Sequence, residues 1–309
     1  MNAIIVCGSL NMDLVARVAT LPRPGETVAG RGLQRLPGGK GLNQAVAAAR
    51  MGVAVAMIGA RGDDADGAAL VALLSTEGID ASAVRLRPAD GASAAHTGLA
   101  QVIVAEDGEN AIIVHGGANT TLTPDEARES LASLSPVGAA AGAARGGRVA
   151  VAQLETPPAT VAAFLEAART SGTRTLLNTA PALADTRQLL ALADIVVLNE
   201  TELAHYAGAP ADADTARRLL DRPDQAIIVT LGAQGALCVT ADGASHFAAP
   251  RVAVRDTTGA GDCFCGVLAA MLAKGHDLDA ALPQAVKAAS LAVTRVGAAP
   301  SMPRAAELA

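Results

Sequence analysis

The stretch "RDTTGAGDCFCGVLAAML", Arg255 to Leu272, joins three small residues and an aspartate directly to a strongly helical pattern. Phe264, Val267, Leu268, Met271 and Leu272 recur at the i, i+3, i+4, i+7, i+8 spacing of one buried helix face. Asp262 therefore falls in or near the first turn, where unpaired backbone N–H groups and the positive end of the helix dipole favour an anion. Gly259, Ala260 and Gly261 keep side chains out of the way, so that their amides can close around a phosphate or another anionic oxygen. An acid beside an anion hole is a catalytic arrangement. Read alone, the same stretch is equally a capped helix behind a glycine turn, and the rest of the chain has to decide between the two.

Outward from that helix, short runs rich in β-branched residues alternate with alanine-rich helical patterns. Strands are expected at Ile4 to Val6, Val53 to Ile58, Val149 to Ala152, Thr175 to Leu177, Ile195 to Leu198 and Ile227 to Thr230. Several are apolar on consecutive residues, as strands covered on both faces are. Helices are expected at Asn43 to Met51, Ala65 to Glu77, Pro124 to Leu134, Pro158 to Ser171, Ala213 to Leu220 and Ala281 to Val293. The alternation predicts a layered α/β domain around a mainly parallel sheet. Two segments, 13–36 and 97–114, read instead as strands joined by turns, with Asp107-Gly108 as a hairpin signal. They are expected to form a small sheet over a ligand cleft, a lid of the kind that excludes water during transfer chemistry. Ser135 to Ala150 is Gly/Ala-rich and reads as a loop or a loosely specified helix end.

The 309 residues suffice for one large domain plus a smaller unit, at the usual prior of roughly 150 residues per domain. Hydrophobic content of 51% with 17% charged residues excludes a disordered chain, and a net charge of −6 without a basic cluster argues against a nucleic-acid surface. Cys7, Cys238, Cys263 and Cys265 show no zinc spacing, which suggests reduced thiols in a cytoplasmic protein. "MNAIIVCGSL" lacks a basic leader and reads as a first core strand, and no run reaches the ~18 apolar residues of a membrane span. His96, His115, His205, His246 and His276 form no metal-ligand pattern.

A second glycine-rich element, "PGGKGLNQAVAAARMG" from Pro37 to Gly52, lacks the spacing and the Ser/Thr of a P-loop. Gly38, Gly39 and Gly41 permit close backbone approach at a helix start, with Lys40 and Asn43 available to an oxygen-rich ligand.

The ordered set "GSLNMD", "PGGKGLNQA", "LE", "NETE", "TLGAQG", "DTTGAGD" and "AVTRVGAAPSMP" resembles the ribokinase family of sugar and nucleoside kinases, which includes phosphofructokinase B and adenosine kinase. The likeness runs from Val6 to about Pro303. It implies a three-layer ribokinase-like fold with a β-sheet lid and transfer of phosphate from ATP to a sugar, with D-ribose the expected acceptor and its O5 hydroxyl the attacking group. It implies that Asp262 is the base and that Gly259, Ala260 and Gly261 hold the transferring phosphoryl oxygens. Asn11, Asp13, Gly39, Lys40, Gly41, Asn43 and Glu155 would bind the sugar. Asn199, Thr230, Gly232, Gly235 and Gly261 would lie along ATP, and Glu202 would organise Mg²⁺ through water. Asp256, Thr258, Ala292, Arg295, Gly297 and Ser301 match the positions that hold an activating K⁺. A homodimer through the lid is implied as well.

Without the resemblance, Glu202 reads as a solvated charge on the helix after Asn199. In the family position that often carries Asn or His beside adenine, this chain has Val286, so that the base would be held there by packing. A deoxyribose, ketohexose or nucleoside kinase keeps the same chemistry. A nucleoside acceptor is poorly served by a chain with 3 Phe, 1 Tyr and no Trp. A non-catalytic sugar-responsive regulator would have no need of the base.

Overall fold

In the parallel strands, consecutive residues feed two different cores. Ile4 and Val6 pack on one face with Val149, Val151 and Val197, whereas Ile5 and Cys7 pack on the other with Ala150, Ala152 and Val196. Apolar residues at every position, and not at alternate ones, are the sequence signature of a sheet covered on both sides.

The computed structural model describes residues 4–92, 94–107, 109–134 and 147–308. Gly108 and most of the Gly/Ala-rich stretch, residues 135–146, lie outside the described residues. Among the described residues the strands are β1 (Ile4–Cys7), β2 (Asn11–Val18), β3 (Gly32–Gly38), β4 (Val55–Gly62), β5 (Asp80–Arg87), β6 (Gly98–Ala105), β7 (Asn110–His115), β8 (Val149–Ala152), β9 (Arg174–Asn178), β10 (Ile195–Asn199), β11 (Ala226–Thr230), β12 (Ala236–Val239) and β13 (Ala244–Phe247). The helices are α1 (Lys40–Arg50), α2 (Ala65–Thr76), α3 (Pro124–Leu134), α4 (Pro158–Thr170), α5 (Glu200–Ala207), α6 (Ala213–Arg217), α7 (Ala260–Ala273) and α8 (Leu278–Ala292).

The large sheet has the order β13-β12-β11-β10-β9-β8-β1-β4-β5 and is parallel except for β12 and β13 at one edge. Helices α1, α2, α7 and α8 cover one face and α3 to α6 the other, giving three layers. The chain builds outward from β1 to β4 and β5, then restarts at β8 on the opposite side of β1. The carboxyl ends of β1 and β8 therefore flank a topological switch point, where open α/β sheets place their ligand crevice. A second, four-stranded sheet of order β3-β2-β6-β7 rises from this same end, with β2 and β6 parallel and the outer pairs antiparallel.

Three sequence expectations need correction. The first helix begins at Lys40, three residues before Asn43, because Gly39 takes the N-cap position at φ +91°, a conformation that needs no side chain and favours glycine. The helix expected over Ala213 to Leu220 stops at Arg217. Helix α7 is buried without interruption from Asp262 to Leu272, not along one stripe, since α1 and α8 pack beside it over the sheet. All four cysteines are buried and unpaired, and among the described residues no helix is long and apolar enough to cross a membrane.

Candidate active site

Four loops meet above the switch point. The segment after β1 carries Ser9 and Asn11, the N-terminus of α1 carries Lys40, Asn43 and Gln44, the end of β8 leads to Gln153 and Glu155, and the first turn of α7 carries Asp262. The backbones touch closely: a β-carbon on Gly41 would stand 2.6 Å from the Ser9 nitrogen, and one on Gly39 would stand 2.7 Å from the Asn11 nitrogen. Only glycine lets α1 start against the end of β1 in this way.

Asp262 is buried and its two oxygens are held separately. Asn43 Nδ2 donates to Oδ2 at 2.9 Å, and Gln44 Nε2 donates to Oδ1 at 2.9 Å. Gln44 also donates to Asn178 Oδ1 at 3.1 Å and accepts from Gln153 Nε2 at 2.7 Å. Glu155 Oε2 accepts from Ser9 Oγ at 2.5 Å and from the Lys40 backbone N–H at 3.1 Å. Asn119, fully inside, accepts from the Leu10 N–H at 2.9 Å and donates from Nδ2 to Asn11 Oδ1 at 2.7 Å. Asn119, Gln153 and Asn178 carry no motif signal of their own, whereas Ser9 and Gln44 stand inside "GSLNMD" and "PGGKGLNQA" without a role that the motifs assign them.

The electrostatics follow from crowding. Burial first, and then the charges of Glu155 and Asp262, push the Asp13 carboxyl up to about 7. For Lys40 burial works against the charge, but Asp262, Glu155 and Glu202 outweigh it and raise the ammonium above its usual range. Lys40 is thus the cation of a group of acids.

On the other side of Asp262 a cleft of about 550 Å³ opens, lined by Thr230, Gly232, Gly235, Gly261, Phe264 and Val286 among others. A β-carbon on Gly261 would meet nothing within 4 Å, so the first turn of α7 is bare where it faces this space. Gly259, at φ +76°, is the N-cap of α7, and its missing β-carbon accommodates Ala298 at 2.9 Å. The cleft's walls are mostly apolar, Val286 among them.

Asn199 does not line this cleft. It caps α5: its side chain accepts from the Glu202 N–H at 2.8 Å, and the Glu202 carboxylate accepts from the Asn199 N–H at 2.9 Å. This capping box draws Glu202 inward, which corrects its reading as a solvated charge: it is buried, and burial raises its carboxyl above the usual range. Asp256 accepts from the Thr258 N–H at 2.9 Å and from the Gly297 N–H at 2.8 Å, tying the loop before α7 to the loop that contains Ser301. Burial opposes its ionisation, yet the donors of Thr258 and Gly297 hold its carboxyl below the usual range. The Ala292 carbonyl accepts from the Arg295 N–H at 3.0 Å, and Ser301 Oγ donates to Ala298 O at 2.8 Å. The Arg295 guanidinium turns away to pair with Glu307.

The description "pfkB family carbohydrate kinase" matches residues 1–305. A ribokinase of Staphylococcus aureus is 36% identical over 313 residues, covering 98% of this chain and 97% of its own. A deoxyribokinase of Salmonella typhi is 35% identical over 306 residues, covering 97% and 95%. Among solved structures, the ribokinase of Arabidopsis thaliana complexed with ribose and ATP superposes with a TM-score of 0.82 at 28% identity, covering 99% of this chain and 96% of that one.

Proposed function

The chain belongs to the pfkB family of carbohydrate kinases, and from that premise we infer that it transfers the γ-phosphoryl group of ATP to O5 of D-ribose, giving D-ribose 5-phosphate and ADP. The observation that carries this reading is the position of Asp262. It stands between the polar cluster of Asp13, Lys40, Asn43 and Glu155 and the bare helix turn that opens onto the apolar cleft.

The sugar fits the polar side, where the carboxylates of Asp13 and Glu155 and the amides of Asn11 and Asn43 can exchange hydrogen bonds with adjacent hydroxyls. ATP fits the cleft, its base against Val286 and its phosphates toward Gly261. Asp262 accepts the proton of the primary hydroxyl as that oxygen attacks phosphorus and the bond to ADP breaks. The amides of Gly259, Ala260 and Gly261 meet the charge that grows on the phosphoryl oxygens. Lys40 adds a positive charge on the sugar side. Most of the rate comes from alignment and fixed electrostatics, since little covalent chemistry is left for the protein.

Glu202 fits a magnesium role: a buried carboxylate whose charge is disfavoured as it stands gains from a cation nearby, and Mg²⁺ bound through water would neutralise phosphate charge. The Asp256 carboxylate with the carbonyls of Thr258, Ala292, Arg295 and Gly297 and the Ser301 hydroxyl is an all-oxygen set suited to K⁺. Cytoplasmic residence is supported by four unpaired, buried cysteines.

The test is ADP release with ATP and a panel of sugars. Ribose is expected to give the highest kcat/KM. A rate indistinguishable from the sugar-free background for every pentose and hexose overturns the reading.

A further inference from the structure

We infer that Gln44 is the positioning residue of the transfer step, fixing the orientation of the Asp262 carboxylate through a buried amide chain that starts at Gln153. This rests on the reading of Asp262 as the base.

The direction of the chain follows from chemistry. A carboxylate only accepts, so the Gln44 end that meets Asp262 Oδ1 must be the NH₂ group. The other hydrogen of that group goes to Asn178 Oδ1. Gln44 Oε1 then faces the opposite way and accepts a hydrogen bond from Gln153 Nε2. Gln44 therefore has one possible orientation, and its amide has no freedom to turn. Gln44 and Gln153 are both fully buried and Asn178 nearly so. Burying three amides is costly where a polar atom goes unpaired, as Gln153 Oε1 does here, and an aliphatic side chain would fill the same volume without that cost.

The helices are built to bring Gln44 into range. Gly266, one turn after Asp262 on the same face of α7, presses against α1 so closely that a β-carbon would lie 2.4 Å from the Gln44 carbonyl oxygen and 2.7 Å from Ala47 Cβ. The result divides the labour on Asp262. Asn43, on the sugar side, shares Oδ2, and Gln44, on the protein side, anchors Oδ1. When a sugar engages Asn43, Gln44 is the donor that still holds the base. The titratable groups around Asp262 are Lys40 on α1, Asp13 on β2, Glu202 on α5 and the thiols of Cys263 and Cys265 on its own helix, which burial keeps neutral. Among the described residues none of them hydrogen-bonds to the carboxylate, so its direction is left to the two amides.

The experiment is a double-mutant cycle on kcat with Gln44→Met, which keeps length and volume, and Asp262→Asn, each variant checked for its melting temperature and for ribose binding without nucleotide. Gln44→Met is expected to lower kcat about 10- to 100-fold, with the KM for ATP and the ribose Kd within about threefold of wild type. In the Asp262→Asn background, where the base is gone, the same change is expected to cost less than about threefold. Equal fold losses in the two backgrounds mean a merely structural residue and overturn the inference, as does a Gln44→Met enzyme with more than half of wild-type kcat. If Gln44→Met does not fold, Gln153→Met decides by the same cycle, with an expected loss of about 3- to 10-fold confined to the Asp262 background. If Asp262→Asn itself keeps wild-type turnover, the reading of the base fails first and this inference with it.

Discussion

Asp13 lies directly over the α-carbon of Gly38: a β-carbon on that glycine would stand 2.2 Å from Asp13 Oδ2 and 2.5 Å from its Cγ. The carboxyl is thereby pinned at the foot of the small sheet, on β2 beside β3, with Glu155 and Asp262 as its charged neighbours. Burial and these neighbouring charges work against the ionised form of Asp13.

That conflict is measurable as a pH dependence. Burial and the neighbouring negative charges raise Asp13 to about 7 in the folded chain, against about 4 when unfolded. With the folded value raised, Asp13 contributes favourably only below about pH 4, and that contribution is lost as pH rises through about 7. Asp13→Asn carries no charge in either state. Its gain in melting temperature over wild type is expected to grow between pH 4.5 and 7 and then level off, reaching at least ~3 °C at pH 8, while ribose affinity falls. Melting curves at pH 4.5 and 8 check this, and a gain that shrinks with rising pH contradicts the assignment.

The two glycines at the start of α7 are expected to fail in different ways. Gly259 has φ +76° and Ala298 against it, so Gly259→Ala should destabilise the fold by about 1–2 kcal/mol. Gly261 faces open space at the cleft, so Gly261→Ala should leave the melting temperature within ~1 °C and still cost at least tenfold in kcat by intruding on the phosphoryl oxygens. Thermal melting and turnover of both variants separate the roles.

How much of this was legible beforehand depends on range in sequence. The layered sheet was visible because buried parallel strands are apolar at every position, as in Ile195–Asn199 up to Leu198. Asp262 was visible because helix periodicity places it within a few residues. Gln153 and Asn178 were invisible: each is an ordinary polar residue at a strand end, and its meaning comes from Gln44, over a hundred positions away. The burial of Glu202 depended on a capping box whose sequence, Asn199 followed by Glu202 three residues on, was available but indistinguishable from a solvated helix start. The early start of α1 was missed because Gly39 caps it with backbone geometry and no side chain.

Asp256 gives a prediction about monovalent cations. Its carboxylate already joins the two loops through the Thr258 and Gly297 amides, and a K⁺ among the surrounding carbonyls would tighten the same joint next to Gly259. Turnover is expected to rise severalfold in K⁺ over a large organic cation at matched ionic strength, and Asp256→Ala should remove the difference. Equal rates for wild type in the two salts refute the site.

The small sheet leaves Leu33 70%, Ile112 55% and Val114 52% exposed, and every residue of β7 is exposed at its edge. A long apolar edge strand invites a second cover, and another copy of the chain, pairing lid to lid, supplies one by symmetry. Light scattering at micromolar concentration is expected to give twice the chain mass, and the double change Leu33→Glu with Ile112→Lys to give a monomer. A monomeric wild type counts against the pairing.

The acceptor choice we propose for this chain depends on how Asn11 is held. Asn119 accepts from the Leu10 N–H, so its NH₂ must be the end that faces the Leu10 carbonyl and Asn11 Oδ1. Asn11 Oδ1 thereby already accepts one hydrogen bond, and both Nδ2 hydrogens remain to be donated to a ligand. A sugar hydroxyl there has to accept a hydrogen bond, as the 2-hydroxyl of ribose can, and deoxyribose has no oxygen at that carbon to do so. The missing partner leaves a buried donor unpaired at roughly 1–3 kcal/mol, or about 5- to 150-fold in kcat/KM in favour of ribose. Asn11→Met removes the donor and is expected to bring the two sugars within about threefold. Asn119→Asp is a sharper probe: its carboxylate can no longer donate to Asn11 Oδ1, so Asn11 must turn its NH₂ toward it and present an oxygen to the cleft. Ribose preference should then weaken with Asn11 itself intact, and the melting temperature should fall as well, because the buried carboxylate also loses the bond to the Leu10 carbonyl. If the unaltered enzyme phosphorylates deoxyribose better than ribose, the reading of Asn11 is wrong, while the role proposed for Asp262, which does not depend on the 2-hydroxyl, is unaffected.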